Sequence, residues 1–429
     1  MGNSGAIRPR KPHGREFLLS DVEHDGASAS ELPSSLAELG WREPFVSAFR
    51  ALTLPGEVIP GRVAVQQRGR YTVATERGEL AAELDNQLRR AATAGAELPC
   101  VGDWVALRRQ PAAGNPMPMP MPMPTPMPMP MPAPPPAVGH DALRSKQATA
   151  TVAGLACVCA VLPRLTKFSR RAAGPENVEQ VLAANIDTVF IAMGLDGDFN
   201  LRRLERYLTV AAASGARPVV LLTKADLCPA SDLAAREAEV QAIAPSVAVV
   251  ATSVLTEQGL RAVDPFLRSG QTIALLGSSG VGKSTLVNAL LRQEVLRTSE
   301  VRASDSRGRH TTTQRQLFRV RGGALVIDTP GIRELQLWDA GAGLEVSFAD
   351  VAVVAAKCHF RDCRHQNEPG CAVVVALRRG DLPPERVASY LKLRGEQESA
   401  TGRNDPEAAR RRKRAAASVT KLVRKKHRE

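Results

Sequence analysis

One stretch of the chain, Gly277-Ser278-Ser279-Gly280-Val281-Gly282-Lys283-Ser284-Thr285, has the residue types needed to hold a polyphosphate. It fits the pattern G-x4-G-K-S and lies between an apolar run, TIALL, and a helix-forming run, TLVNALL. Glycines at this spacing let backbone N–H groups turn inward around phosphate oxygens. Lys283 brings a charge to the β- and γ-phosphates, and the Ser284 hydroxyl is placed to ligand Mg²⁺. Further along, Asp328-Thr329-Pro330-Gly331 closes a second apolar run. An aspartate there suits the Mg²⁺ shell, and the Gly331 amide can sense a γ-phosphate. Between them lies Gly308-Arg309-His310-Thr311-Thr312-Thr313. A threonine in this segment can complete the Mg²⁺ shell; spacing does not choose among the three, and Thr312 is preferred.

Two further segments could read a base. Thr223-Lys224-Ala225-Asp226 ends the run PVVLL. A carboxylate at Asp226 can accept both N1–H and N2–H of guanine, a donor pair that adenine lacks, while the Lys224 stem packs along the ring. Thr252-Ser253, after the next apolar run, supplies a small loop against the guanine carbonyl. In Ras-like GTPases the phosphate loop comes first and the base motifs last. Here the base motifs come first, which is the order of a circularly permuted GTPase domain. Permutation leaves the 308–313 segment near the C-terminal end of that domain, where its movement could pass to the next part of the chain.

That next part holds a metal-type cluster. Cys358-x4-Cys363-x-His365-x5-Cys371 offers three thiolates and one imidazole, suited to a closed tetrahedral Zn²⁺ with no position left for water. A structural role is therefore expected, with His359 as a spare ligand.

These residues need elements to position them. NIDTVFIAM (185–193), RPVVLLT (217–223), VAVVATS (247–253), TIALLG (272–277) and ALVIDTP (324–330) are runs of the buried-strand type, and helical segments such as 200–214 and 231–243 lie between them. That alternation predicts an α/β domain with a mostly parallel sheet over 173–338. Upstream, RVAVQQRGRYTVAT reads as a hairpin, with further strands at GDWVAL (102–107) and in ATATVAGLACVCAVL. Short strands in a basic segment suit a small β-barrel of the OB type over 35–172, opened by a helical stretch at 36–50. Residues 116–136 hold twelve prolines and seven methionines, which cannot form a central strand and are expected to be a loop expansion. A small helical zinc-binding domain is expected over 339–400. Residues 1–34 read as a disordered extension and 401–429 as a basic tail.

The whole chain has 429 residues and a formal charge of +13. The charge is concentrated: residues 410–429 carry ten Lys/Arg against Glu429, and 59–172 carry fourteen basic against seven acidic residues. Such an arrangement points to a polyanionic partner gripped through phosphate contacts, with Tyr71 and Trp104 as candidate base-stacking residues. No apolar run reaches the roughly 18 residues of a membrane span, and the first residues lack a signal-peptide core, so a cytoplasmic protein is expected. Seven cysteines without such a leader argue against a secreted disulfide framework.

Taken together, LGW, NIDTVFIAM, FNLRRLERYL, TKADL, GSSGVGKSTLVN, GRHTTT, DTPGIREL and CHFRDCRHQNEPGC make the chain resemble the ribosome small-subunit-dependent GTPase A family of bacteria. The likeness covers residues 35–400 less the Met-Pro insert. It implies an OB domain, a permuted GTPase and a zinc domain. It also implies a monomer that binds GTP and GDP with Mg²⁺, docks on the small ribosomal subunit and its rRNA, and hydrolyses GTP faster when bound, late in subunit maturation. Two positions depart from the family pattern. Thr223 replaces a frequent asparagine, which predicts a weaker hydrogen bond between the base and phosphate loops. Ile332 follows DTPG in place of a glutamine that could orient water, which predicts slow intrinsic hydrolysis. His310 is then the candidate catalytic residue, beside Lys283 and Thr312. The competing readings are a P-loop ATPase or small-molecule kinase with an RNA-binding barrel, and an RNA-binding scaffold with a vestigial nucleotide site.

Overall fold

A computed structural model describes residues 35–67, 69–91, 97–109, 155–171, 178–291, 315–328, 341–366 and 368–404. The extension at 1–34, the Met-Pro insert, the 308–313 segment with His310 and Thr312, Gly331, Ile332 and the tail beyond Asn404 lie outside these residues.

The N-terminal half of the chain forms a closed barrel. Its strands are β1 (Ile59–Gln67), β2 (Arg70–Thr75), β3 (Gly78–Leu84), β4 (Trp104–Arg109) and β5 (Ala156–Val161), with α2 (Asn86–Ala91) following β3. They hydrogen-bond in the order β1-β2-β3-β5-β4 and close through β1–β4, with only β3–β5 parallel. This is the barrel expected from the sequence, and alternate residues such as Val63, Val73, Leu80, Val105 and Val158 fill its interior. The two aromatic candidates for base stacking are not exposed. Tyr71 is 4% exposed within the barrel core, and Trp104 is fully buried with its ring centroid 4.7 Å from that of Trp41. Tyr71 points into the barrel, whereas Trp104 points outward from β4, opposite the interior Val105, and is covered by Trp41 and Phe45, so burial of each large ring overrides any role in stacking on a base.

The helix expected over 36–50 is shorter than that. Residues 36–40 are a turn, Gly40 takes a φ of 91°, and only α1 (Phe45–Arg50) is helical. Arg62 on β1 ties this segment to its neighbours. Its guanidinium donates to Leu39 O, to Gly102 O at 3.2 Å and to Asn185 O at 3.0 Å, and burial lowers its pKa to about 10.

The barrel runs on into a second sheet, because β1 pairs with β12 (Arg315–Arg319) at Val65–Gln316 and Gln66–Arg315. This sheet is built from β8 (Thr188–Gly194), β9 (Arg217–Thr223), β10 (Ala248–Ala251), β11 (Thr272–Leu276), β12 and β13 (Leu325–Asp328). Its order is β10-β9-β8-β11-β13-β12, parallel except for β12. Both faces are covered, which is why its strands read as continuous apolar runs. Val189, Ile191 and Met193 point to one face with α3 (Leu201–Ser214), while Phe190, Val219 and Leu221 point to the other with α5 (Lys283–Leu291). A two-stranded ribbon, β6 (Lys167–Arg171) with β7 (Glu179–Ala184), connects barrel and sheet and spans the expected boundary at 172–173.

The C-terminal part packs on the α3 face. It comprises α6 (Gly341–Ser347), α7 (Ala349–Ala355), α8 (Ala372–Arg379) and α9 (Pro384–Asn404), with α4 (Ala230–Ile243) elsewhere on the sheet. Gly343 lets α6 approach α3 closely, since a Cβ there would lie 2.4 Å from Thr209 O. Arg386 on α9 then bridges the elements: it donates to Glu205 Oε1 at 2.7 Å, to both Asp350 oxygens at 3.0 Å and to Ser347 O at 2.6 Å. Its charged plane also lies 4.2 Å from the Phe348 ring centre. Arg206 on α3 adds a second bridge, to Glu396. Among the described residues no helix is long and apolar enough to cross a membrane.

Candidate nucleotide site and metal centre

In the parallel part of the sheet the chain moves outward in one direction from β8 to β9 and β10, and in the other from β11 to β13. The carboxyl ends of β8 and β11 therefore flank a topological switch point, where open α/β sheets bind ligands. Each predicted segment that the structure describes arrives there from a strand end.

The phosphate loop follows β11 and enters α5 at Lys283. Gly277, with a φ of 151°, runs so close to β8 that a Cβ would lie 2.6 Å from Ala192 O. Gly280 and Gly282 also have positive φ, and Val281 is buried beneath the loop. The Lys283 ammonium donates to Gly277 O at 2.8 Å and to Ser278 O, so it lies over the loop that it serves. Ser284 and Thr285 form the first turn of α5, whose exposed N–H groups favour an anion. Asp328 is the last residue of β13, the strand neighbouring β11.

The base segment follows β9. Lys224 takes a left-handed φ of 58°, and residues 225–227 form a short 3₁₀ turn. Ala225 N–H donates to Thr252 O at 3.1 Å, and the Ser253 hydroxyl donates to Asp226 Oδ1 at 2.5 Å. The two base segments thus meet. Thr223 joins them to the phosphate loop: its hydroxyl lies 2.7 Å from Val281 O and 3.3 Å from Met193 O. A threonine thus makes a loop-to-loop hydrogen bond here, at ordinary length.

Asp196 and Asp198 belong to none of the sequence motifs. They sit in the turn between β8 and α3, where Asp198 accepts from the Ser278 hydroxyl and Asp196 pairs with Lys224 at 2.5 Å. The one signal for them in the sequence is position: two carboxylates directly beyond the carboxyl end of an apolar strand in an α/β sheet.

In the C-terminal part, Cys358 follows α7 and Cys371 caps α8. The ligand atoms of Cys358, Cys363, His365 and Cys371 lie within 4.8 Å of one another. Cys358 Sγ is 3.5 Å from His365 Nδ1 and 3.9 Å from Cys371 Sγ, and Cys371 Sγ is 3.6 Å from the same nitrogen. A tetrahedral Zn²⁺ with bonds of about 2.3 Å to sulfur and about 2.0 Å to nitrogen has edges near ~3.8 Å and ~3.5 Å, so the four residues fit a metal ion of this kind. Burial opposes ionisation of Cys358, yet the Val373 and Ala372 amides at the start of α8 and the adjacent thiols draw it below the usual thiol range. Burial, with Arg394 beside it, holds His365 below the usual imidazole range. These two directions favour the forms that bind metal, whereas burial pushes the Cys363 thiol up to about 11. The turn that presents His365 is held by Glu368, which accepts from the Arg364 and Gln366 amides at 2.9 Å. His359 is not among the clustered ligands; it packs edge-on to Phe360.

Residues 161–338 match the family model described as RsgA GTPase. The chain is 46% identical to the small ribosomal subunit biogenesis GTPase RsgA of Opitutus terrae over 88% of its own length and 93% of that protein. The chain belongs to the RsgA GTPase family. A protein of the same name from Methanosarcina acetivorans is 40% identical over 83% of this chain and 84% of its own. Among solved structures, YjeQ from Thermotoga maritima shares the fold with a TM-score of 0.52 at 22% identity, over 80% of this chain and 99% of that one. Membership of this family agrees with the permuted order, in which the base strands β9 and β10 precede the phosphate strand β11, and with the barrel and Cys/His cluster on either side.

Proposed function

We propose that this protein hydrolyses GTP to GDP and phosphate on the small ribosomal subunit, late in the maturation of that subunit. The observation that carries the reading is the meeting of Thr223, Asp226 and Ser253 with the 277–285 loop at one sheet switch point, joined by the Thr223–Val281 bond. Asp226 reads the guanine edge, and the inward-facing amides of the loop with Lys283 hold the phosphates. Ser284, Thr312 and Asp328 would hold Mg²⁺, and their hydroxyl and carboxylate oxygens suit a hard cation that neutralises charge between the β- and γ-phosphates. His310 orients the attacking water, a role that Ile332 has no polar atom to fill. The Gly331 amide senses the γ-phosphate. Cys358, Cys363, His365 and Cys371 hold one structural Zn²⁺ per chain.

The partner is the subunit's rRNA, contacted through backbone phosphates by the basic barrel and the tail beyond residue 410. The protein works as a cytoplasmic monomer, in units at 35–172, 173–338 and 339–400. The names of its relatives and the +13 charge support this partner over the kinase or ATPase alternative. The test is GTP turnover with and without purified small ribosomal subunits. Low turnover alone and a rise of an order of magnitude or more with subunits is the expected result. Equal rates would overturn the reading.

A further inference from the structure

The turn between β8 and α3 touches both halves of the nucleotide site, and nothing in the proposed chemistry assigns it a task. Asp196 Oδ2 pairs with Lys224 Nζ at 2.5 Å, and Asp196 Oδ1 accepts the Asp198 amide at 3.0 Å. Asp198 accepts the Ser278 hydroxyl of the phosphate loop and pairs with Arg203 at 2.6 Å. Arg203 is in the first turn of α3, and its amide donates to the Asn200 cap at 3.0 Å. We propose that Asp196 and Asp198 are positioning residues for guanine nucleotide: Asp196 fixes the lysine that covers the base, and Asp198 fixes the loop that holds the phosphates.

The Lys224 stem is a flexible four-carbon chain, and packing along a purine ring needs one of its many rotamers. The left-handed backbone at Lys224 sets where the stem leaves the chain, and the Asp196 carboxylate sets where it ends. Asp196 is itself held by the Asp198 amide, so the anchor does not swing with the lysine. Burial alone would raise the Asp196 carboxyl, but the Lys224 hydrogen bond and the Asp198 amide outweigh it and hold it below the ordinary range, charged at neutral pH. The second arm works on the phosphate loop. Ser278 directly follows Gly277, and its bond to Asp198 crosses the switch point from β11 to the β8 side. Because the two carboxylates are two residues apart on one turn, base and phosphate halves are referenced to the same piece of backbone before the ligand spans them. Preorganisation of this kind acts on affinity by removing ordering that the ligand otherwise has to provide.

The inference rests on the nucleotide-site reading, and a pair of double-mutant cycles tests it. Dissociation constants for a fluorescent N-methylanthraniloyl-GDP are measured for wild type, D196N, K224M and D196N/K224M, and for D198N, S278A and D198N/S278A. Each aspartate variant is expected to bind about 3- to 10-fold more weakly than wild type, the range of a partly exposed ion pair or charged hydrogen bond. In the background lacking its partner, each is expected to cost less than about twofold, because residues acting through one contact are not additive. A merely structural role would leave the same factor in both backgrounds. The inference is overturned if D196N and D198N bind within about twofold of wild type, or if their losses persist undiminished without Lys224 and Ser278. Failure of the wild-type chain to bind the probe would instead overturn the nucleotide-site reading.

Discussion

Replacing Thr223 by valine removes one hydroxyl and almost no volume, and the structure sets what that should cost. The hydroxyl is 2.7 Å from Val281 O, and Thr223 is only 6% exposed, so no water readily takes its place. Leaving the Val281 carbonyl with one partner fewer costs about 1–3 kcal/mol. Part of this falls on the stability of the fold. The rest falls on the nucleotide, which must then contribute more to holding the base and phosphate loops in register. If all of it fell on binding, affinity would drop by about 5- to 150-fold, since 1.4 kcal/mol is about a factor of ten. We therefore expect T223V to weaken GDP binding by about 5- to 20-fold with a faster off-rate, and T223S, which keeps the hydroxyl, to stay near wild type. Equilibrium titration and stopped-flow displacement of a fluorescent GDP read both constants, and thermal melting reads the stability share. A T223V protein with unchanged affinity, off-rate and melting temperature would show that the bond carries nothing, and the role given to Thr223 would fall.

Three further outcomes are expected. R386M leaves Glu205, 5% exposed on its side chain, without the guanidinium 2.7 Å away, which should destabilise the chain by about 3–5 kcal/mol, while R386M/E205Q recovers much of the loss; denaturant melts that show no difference between the two variants would refute the pairing. Removing the metal with a strong chelator should release about one Zn²⁺ per chain, detectable with a zinc-sensitive dye, and C371S should purify with far less; metal-free wild type that melts like the untreated protein would rule out a structural role. Exchanging the carboxylate proposed to read guanine, in D226N, should move preference from guanosine to xanthosine nucleotides, because an amide can donate to the xanthine oxygen where a carboxylate cannot; unchanged preference for GTP would remove Asp226 from base recognition.

Much of the site is legible in the sequence because it is built from local patterns. A phosphate loop needs glycines, a lysine and a hydroxyl within nine residues, and a thiolate cluster needs its ligands within fourteen; both fold on their own spacing. The parallel sheet is legible for a similar reason, since the unbroken apolar run at Thr188–Gly194 reports a strand buried on both faces. The features that stay hidden depend on residues far apart in the chain. Tyr71 and Trp104 look alike in sequence whether they point in or out, and only closure of the barrel and packing of Trp41 make both of them core. The strength of the Thr223 bond depends on where the Val281 carbonyl lies, 58 residues on.

The amino-acid sequence therefore sets the chemistry on offer: which side chains can hold phosphate, guanine and a soft metal, and in what order the chain delivers them. How these parts share one frame is settled by the packed fold alone. It runs β1 of the barrel into the nucleotide sheet through β12, places Asp196 and Asp198 against Lys224 and Ser278, and locks α9 to α3 through Arg386. The reason is physical. Motifs arise from contacts a few residues apart, whereas carboxylates and guanidiniums find partners by burial and strand order, which are properties of the packed chain as a whole.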